Sequence, residues 1–351
     1  LGFGYNRRFI APAVDQIAGF PLVAEAVGTT IPGTLATELA LLDKALRPSP
    51  GDYFLAAGIR FTSFKMIDSF LLVTAGFGHR FELNVLGLST LVLPMPDTGQ
   101  GKVTPIAEIQ LAMKASFIPD DGYFSLLAQL TSNSYLLSRA CRLTGGFAFV
   151  TWFDGDHDGD FVLSVGGYHP HFTVPGHYPS VPRLGFEWKV PDKLALKGSA
   201  YFALTPGALM AGASLSAVYE DGSLRAWFDA GMDFLIAWQP FHYEGGVHIS
   251  VGASYTFSFF GTHTITAHVG TDVRFWGPDF GGTAHIDLDV ISFTVDFGSR
   301  GGASAEPVPW RSAGAQTREA IAGKLLPGLH IDLNGLAPAD FLVAPEVGAH
   351  G

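Results

Sequence analysis

Three histidines, His169, His171 and His177, fall within one short proline-rich segment of the chain. On an extended backbone His169 and His171 share a face, because side chains alternate with a period of two. A loop could fold His177 back to join them. Neutral imidazoles held this way can ligate zinc or another transition ion. Pro170, Pro175, Pro179 and Pro182 stiffen the segment, so the competing reading is a rigid loop whose His and Tyr side chains bond to backbone carbonyls. A metal-dependent enzyme built here would recruit Asp156 or Asp158 and would need a general base. Glu187 is the nearest glutamate.

A second cluster is Asp154, Asp156, Asp158 and Asp160, interleaved with Gly155, His157 and Gly159. Carboxylates at alternate positions suit a hard cation such as calcium, which takes several oxygen ligands. No glutamate follows at EF-hand spacing. Asp and Gly also favour tight turns without any ion, and the cluster lies between two apolar runs where a hairpin turn belongs. Other catalytic signatures are missing: there is no HExxH, GxSxG, Walker A loop or CxxC. Gly2-Phe3-Gly4 opens no βαβ unit, and Gly99-Gln100-Gly101-Lys102 lacks the spacing of a phosphate loop.

The elements that would carry these residues are strands. From Tyr53 to about Phe297 apolar residues alternate with polar ones. Ala107, Ile109, Leu111, Met113, Ala115 and Phe117 alternate with Glu108, Gln110, Lys114 and Ser116. Pro119-Asp120-Asp121-Gly122 then turns the chain into Phe124, Leu126, Ala128 and Leu130, which predicts a hairpin with a buried and a wet face. Val247, Ile249, Val251, Ala253, Tyr255 and Phe257 likewise oppose His248, Ser250, Gly252, Ser254 and Thr256, and Phe260-Gly261-Thr262 leads into a partner strand ending near Phe275. The small polar face of that pair could line a groove or channel, or simply meet solvent. Further segments at Leu194–Leu204, Leu209–Tyr219, Leu224–Trp238 and Ala284–Phe297, joined by short turns, predict a meander.

The fold class expected is therefore mainly β: a large antiparallel meander sheet, extended, curled or barrel-like, with a short helical N-terminal segment. Leu35, Leu39, Leu42 and Leu46 predict a helix, with Thr34 as cap and Pro48 and Pro50 as stop. A weaker helix is expected around Pro12 to Val27. Three regions follow: an N-terminal helical or irregular segment over 1–50, a β domain over 51–298, and a linker and tail with a short helix over 299–351.

Composition narrows the partners. A net charge of −11 and no Lys/Arg cluster argue against nucleic acid. Charged residues are only 15%, against about 25% in ordinary soluble domains, so either much of the surface is buried against something else or small residues such as Ser, Thr and Gly cover it. The single Cys141 allows no internal disulfide. The chain starts at Leu1 with no signal peptide pattern and has no apolar run long enough for a membrane helix. The reading is a piece of a longer polypeptide.

Arg60-Phe-Thr-Ser-Phe-Lys, Val85-Leu-Gly-Leu-Ser-Thr, Tyr201 to Gly212, Leu224 to Ala230, Trp238 to Tyr243 and Phe275 to Ala284 together resemble an uncharacterised domain family of very large bacterial and some fungal proteins. The resemblance covers most of residues 1–298 and implies an internal β-rich piece of a larger protein, with no catalytic residues to carry over.

The function expected is a non-enzymatic structural or binding module of a multidomain protein, its partners other domains of the same polypeptide or a lipid or apolar small molecule held in a sheet groove. A mean hydropathy of +0.27 favours the apolar ligand. The alternatives are a membrane β-barrel, whose strands alternate in the same way, and the metal-dependent enzyme of the histidine loop.

Overall fold

A computed structural model describes the chain except for residues 29–34, 65, 95–103, 191–192, 259–260, 290 and 300–351. The expected cap Thr34, the Gly99–Lys102 stretch, and the linker, helix and tail from residue 300 onward lie outside the described residues.

The strands are β1 (Gly2–Phe9), β2 (Leu46–Ser63), β3 (Ile67–Phe77), β4 (Glu82–Leu93), β5 (Ala107–Ile118), β6 (Tyr123–Leu130), β7 (Tyr135–Leu136), β8 (Ser138–Thr144) and β9 (Gly146–Trp152). They continue as β10 (Phe161–Val165), β11 (Leu184–Val190), β12 (Leu194–Leu204), β13 (Ala208–Asp221), β14 (Leu224–Trp238), β15 (Phe241–Ser258), β16 (Thr262–Gly277), β17 (Gly281–Asp287) and β18 (Ser292–Gly298). All belong to one antiparallel sheet. β1 to β6 pair in chain order, as do β12 to β18. Between them strands lie end to end. β7 extends β6 along the edge of β5, β8 runs into β9, and β11 extends β10 along β12. The expected large antiparallel meander is the observed fold.

The N-terminal segment is partly helical, as its leucine spacing predicts. A 3-10 turn spans Val14–Gly19, α1 spans Pro21–Val27 and α2 spans Leu35–Ala45. Pro21 opens α1 and Gly28, in the left-handed conformation, closes it. The start of the chain differs from expectation: residues 2–9 form a strand on β2, which itself begins at Leu46. A register shift between Tyr5 and Arg7, with Asn6 at φ 53°, breaks the alternation that would have marked it.

The core corrects the expected facing of β5 and β6. Ile17, Phe20 and Val23 press onto Phe54, Phe70, Leu72, Leu86, Leu88 and Ala112. The buried face of β5 is therefore the one with Gln110, Ala112, Lys114 and Ser116. Gln110, Ala112 and Ser116 are buried, and Lys114 Nζ donates to the carbonyls of Ala11 and Pro12. Ser125 is buried on β6, whereas Leu126 is exposed. The face with Ile109, Leu111 and Met113 is only half-buried.

One carboxylate pins the β2 edge to the turn between β3 and β4. Asp52 accepts from Ser49 Oγ at 2.6 Å, from the His79 amide at 2.9 Å and pairs with His79 Nδ1 at 2.8 Å. The Ser49 hydroxyl, then the His79 amide and ring, hold its carboxyl well below the usual carboxylate range. A depressed folded value adds stability above the unfolded value of about 3.9 and loses it as pH falls toward the folded one. Asp52→Asn should therefore flatten the fall in stability below about pH 4. Urea midpoints measured from pH 6 downward would show it, and an unchanged acid limb would refute the assignment.

Candidate functional site

Two features could bind something: one face of the sheet, and a polar nest beneath the loop between β10 and β11.

The face is clearest on β14, β15 and β16. Register places Phe228, Val251 and Val269 in one row and Met232, Val247 and Val273 in another. Met232 is 56% exposed, Val251 48% and Val269 52%. Every Asp, Glu, Lys and Arg of these strands, namely Arg225, Asp229, Asp233, Glu244, Asp272 and Arg274, has the opposite parity and stands on the other face. That other face is knitted across strands. His248 Nε2 meets Asp229 Oδ1 at 2.9 Å, Trp227 Nε1 donates to Ser250 Oγ at 3.3 Å, and Ser250 Oγ meets His268 Nε2 at 3.0 Å. The Trp227 indole lies over Gly252, where a Cβ would sit 2.2 Å from the ring, so any larger residue there would displace the indole. The apolar parity continues through Phe202, Leu163, Phe149 and Leu126 to Leu55 and Ile59 on β2. Among the described residues the helical elements pack on β2 to β6 from the other side.

The polar nest begins with the loop 166–183. Gly166 and Gly167 take positive φ, and a Cβ on Gly166 would meet the Ala200 carbonyl at 2.3 Å, so only glycine lets the chain leave β10 this close to β12. Arg183 then fastens the loop by donating to the carbonyls of Gly166 and Tyr168, with its guanidinium 3.8 Å above the Tyr201 ring. Tyr168 and Phe172 pack on a small core of Tyr201, Ala203, Ala208, Met210 and Leu235. This seats His169 against β13, where its amide donates to Met210 Sδ.

His169 and His171 do come together, and the residue they share is Glu244 on β15. His171 Nδ1 lies 2.9 Å and His169 Nδ1 3.7 Å from Glu244 Oε1. His242, two positions earlier on the same face of β15, places Nε2 3.8 Å from Glu244 Oε2. Burial pushes the His169 imidazole down from its ordinary value, against the pull of Glu244 and Asp233, which favours the neutral ring. Among the described residues, His169, His171 and Glu244 are the one group of three or more His, Cys, Asp or Glu side chains close enough to hold a metal ion.

His177 parts from this group. Its Nε2 meets Asp160 at 2.7 Å, and its ring stacks on His157 at 3.8 Å and on the edge of Trp152 at 4.8 Å. Tyr178 donates to the same Asp160 at 2.7 Å. Burial first, and then the Asp160 charge, push the Tyr178 phenol above its usual range. Asp160 is thus a buried tie between β10 and the loop. Asp154 is exposed and accepts from the Gly155 amide, and Asp156 and Asp158 are exposed on the 3-10 turn Gly155–His157 and just after it. The four aspartates do not converge.

His242 and Glu244 were not singled out as ligands in the sequence. Their i, i+2 spacing on a strand was visible, but Glu244 stands 73 residues from His171, and only the register of β12 to β15 under the loop joins them.

No curated protein and no solved structure matches the chain. A family model does match, over residues 1–343. The chain belongs to that family, DUF6603, a family of unknown function.

Proposed function

We propose that this domain is a non-enzymatic binding module whose apolar sheet face lies against lipid acyl chains. One observation carries the reading: on β14 to β16 all charge is sorted to one face, and the other presents Met232, Val251 and Val269 about half exposed. Contiguous apolar surface of this kind marks an interaction site in a folded protein. Hydrocarbon is the favoured occupant because the face offers few hydrogen-bonding side chains, whereas protein partners commonly read polar rims. A membrane β-barrel shares the alternation. A sheet within hydrocarbon must pair every edge, however, and among the described residues β1 and β18 each pair along one edge only.

The test is flotation with phosphatidylcholine vesicles. The wild-type protein should rise with the vesicles, and Val251→Glu/Val269→Glu should stay behind with an unchanged far-UV circular dichroism spectrum. Wild-type protein that remains at the bottom, with no lipid extracted from it, would overturn the reading. Membership of a larger polypeptide, with neighbouring domains as partners, is compatible with this role and supplies a way to bring the face to its lipid.

A further inference from the structure

We propose that His169, His171, His242 and Glu244 form a binding site for a transition-metal ion of the zinc class. The site is separate from the apolar face: Glu244 and His242 stand on the charged side of β15, and the two other histidines descend on them from the loop.

Three observations support it. The first is spacing. Two ligands of a tetrahedral zinc, each bound at about 2.1 Å, lie about 3.4 Å apart. His171 and His169 lie 2.9 and 3.7 Å from Glu244 Oε1, which brackets that value, and these three are the residues whose donor atoms cluster. His242 approaches the other oxygen, Oε2, at 3.8 Å. Of the three rings only His171 is at hydrogen-bonding distance from Glu244, so the other two contacts leave room for an ion.

The second is His242. Its side chain is only 5% exposed, yet among the described residues neither ring nitrogen has a hydrogen-bond partner. A buried polar group without a partner is costly and rare in folded proteins. Its Nε2 faces Glu244, so an ion between them would satisfy it. This residue owes nothing to the exposed half of the cluster, which makes it independent support.

The third is the donor set and its mounting. Three imidazoles and one carboxylate are borderline ligands that suit zinc better than calcium or magnesium, which prefer oxygen throughout. Two donors sit on a central strand of the sheet and two on a loop fixed by Arg183 and by the Asp160 tie. His169 Nδ1 accepts from the His171 amide at 3.1 Å, and ligation through Nδ1 exchanges that bond for the ion. His171 is 72% exposed at its side chain, which leaves an entry path from solvent.

The experiment is zinc titration of the chelator-stripped full chain by calorimetry, with elemental analysis after dialysis. One zinc per chain is expected. His242→Ala and Glu244→Gln should each weaken binding at least tenfold, the second without altering the shape of the carboxylate position. Cobalt(II) in the same site should give the intense visible absorption of a four-coordinate ion, and Glu244→Gln should change that spectrum. Zinc bound with less than half an equivalent, or binding that both variants leave intact, would overturn the proposal. If His242→Ala fails to fold, Glu244→Gln and the cobalt spectrum decide the matter. Vesicle flotation of the metal-free protein is a separate readout, so failure of either proposal leaves the other standing.

Discussion

Asp160→Ala is expected to destabilise the protein by about 3 kcal/mol, because it removes a buried carboxylate from two charge-assisted partners, leaving His177 Nε2 without it and Tyr178 with only a long bond to the Phe161 carbonyl. Asp160 is 1% exposed and receives His177 and Tyr178 at 2.7 Å each. Losing it frees the far end of the loop 166–183 from β10 while Arg183 still holds the near end. Urea denaturation should show a lower midpoint, and limited proteolysis should cut within the loop before the strands. Asp160→Asn, which keeps one acceptor oxygen, should lose less. A midpoint equal to that of the wild type would mean that the tie contributes nothing and that the loop is held by its aromatic packing alone. Since the loop carries His169 and His171, the same variant should also weaken zinc binding.

The second large effect tests which face of the sheet is covered. Leu86 is fully buried between the N-terminal segment and the sheet, so Leu86→Ala should cost about 2–5 kcal/mol in lost transfer and cavity energy. Val251 on the open face is 48% exposed, and Val251→Ala should cost within about 0.5 kcal/mol, as surface substitutions do. Paired denaturation curves in aqueous buffer decide it. A large loss at Val251 would show that something covers that face in solution.

How much of this was legible in the sequence depends on what alternation encodes. A period of two announces two faces, and it marked the long strands from Leu194 to Phe275 and the β5–β6 hairpin with their turns. The segment read as one strand over Ala284–Phe297 is instead two, β17 and β18, and the pairings of β6 to β12 depart from chain order. Nor does the period say which face is covered. On β5 the apolar row Ile109, Leu111 and Met113 was the natural candidate for the interior. The covered row is instead Gln110, Ala112, Lys114 and Ser116, because the segment before α1 offers polar groups to match it: the Ala11 and Pro12 carbonyls receive Lys114. Internal bonds satisfy the rest, such as Ser116 to Asn84 and Thr131 to Gln110. A polar face can be buried when it brings its own partners. β1 was missed for a local reason, since the bulge at Asn6 and the paired arginines Arg7 and Arg8 disguise its period.

The histidine loop was half legible. Its prolines and glycines marked a rigid connection, and His169 and His171 were placed together. The third histidine was drawn in by proximity along the chain, but Asp160 claimed it. In the proposed site its place is taken by His242, which approaches Glu244 and whose only sequence signal was a glutamate two positions on. Side chains more than 70 residues away meet only through strand register, which no local pattern carries.

The ladder order has a consequence for how the chain assembles. From β12 to β18 each strand pairs with the one made just before it, so every ladder there closes between adjacent hairpin arms. Low contact order speeds folding, and domains form progressively as synthesis proceeds. This half of the sheet can therefore grow hairpin by hairpin behind the ribosome. The stretch from β6 to β12 cannot: β6 must wait for β9, β8 for β11 and β10 for β12. That knot of delayed pairings is where a nascent chain should pause, and it is also where the Asp160 tie closes.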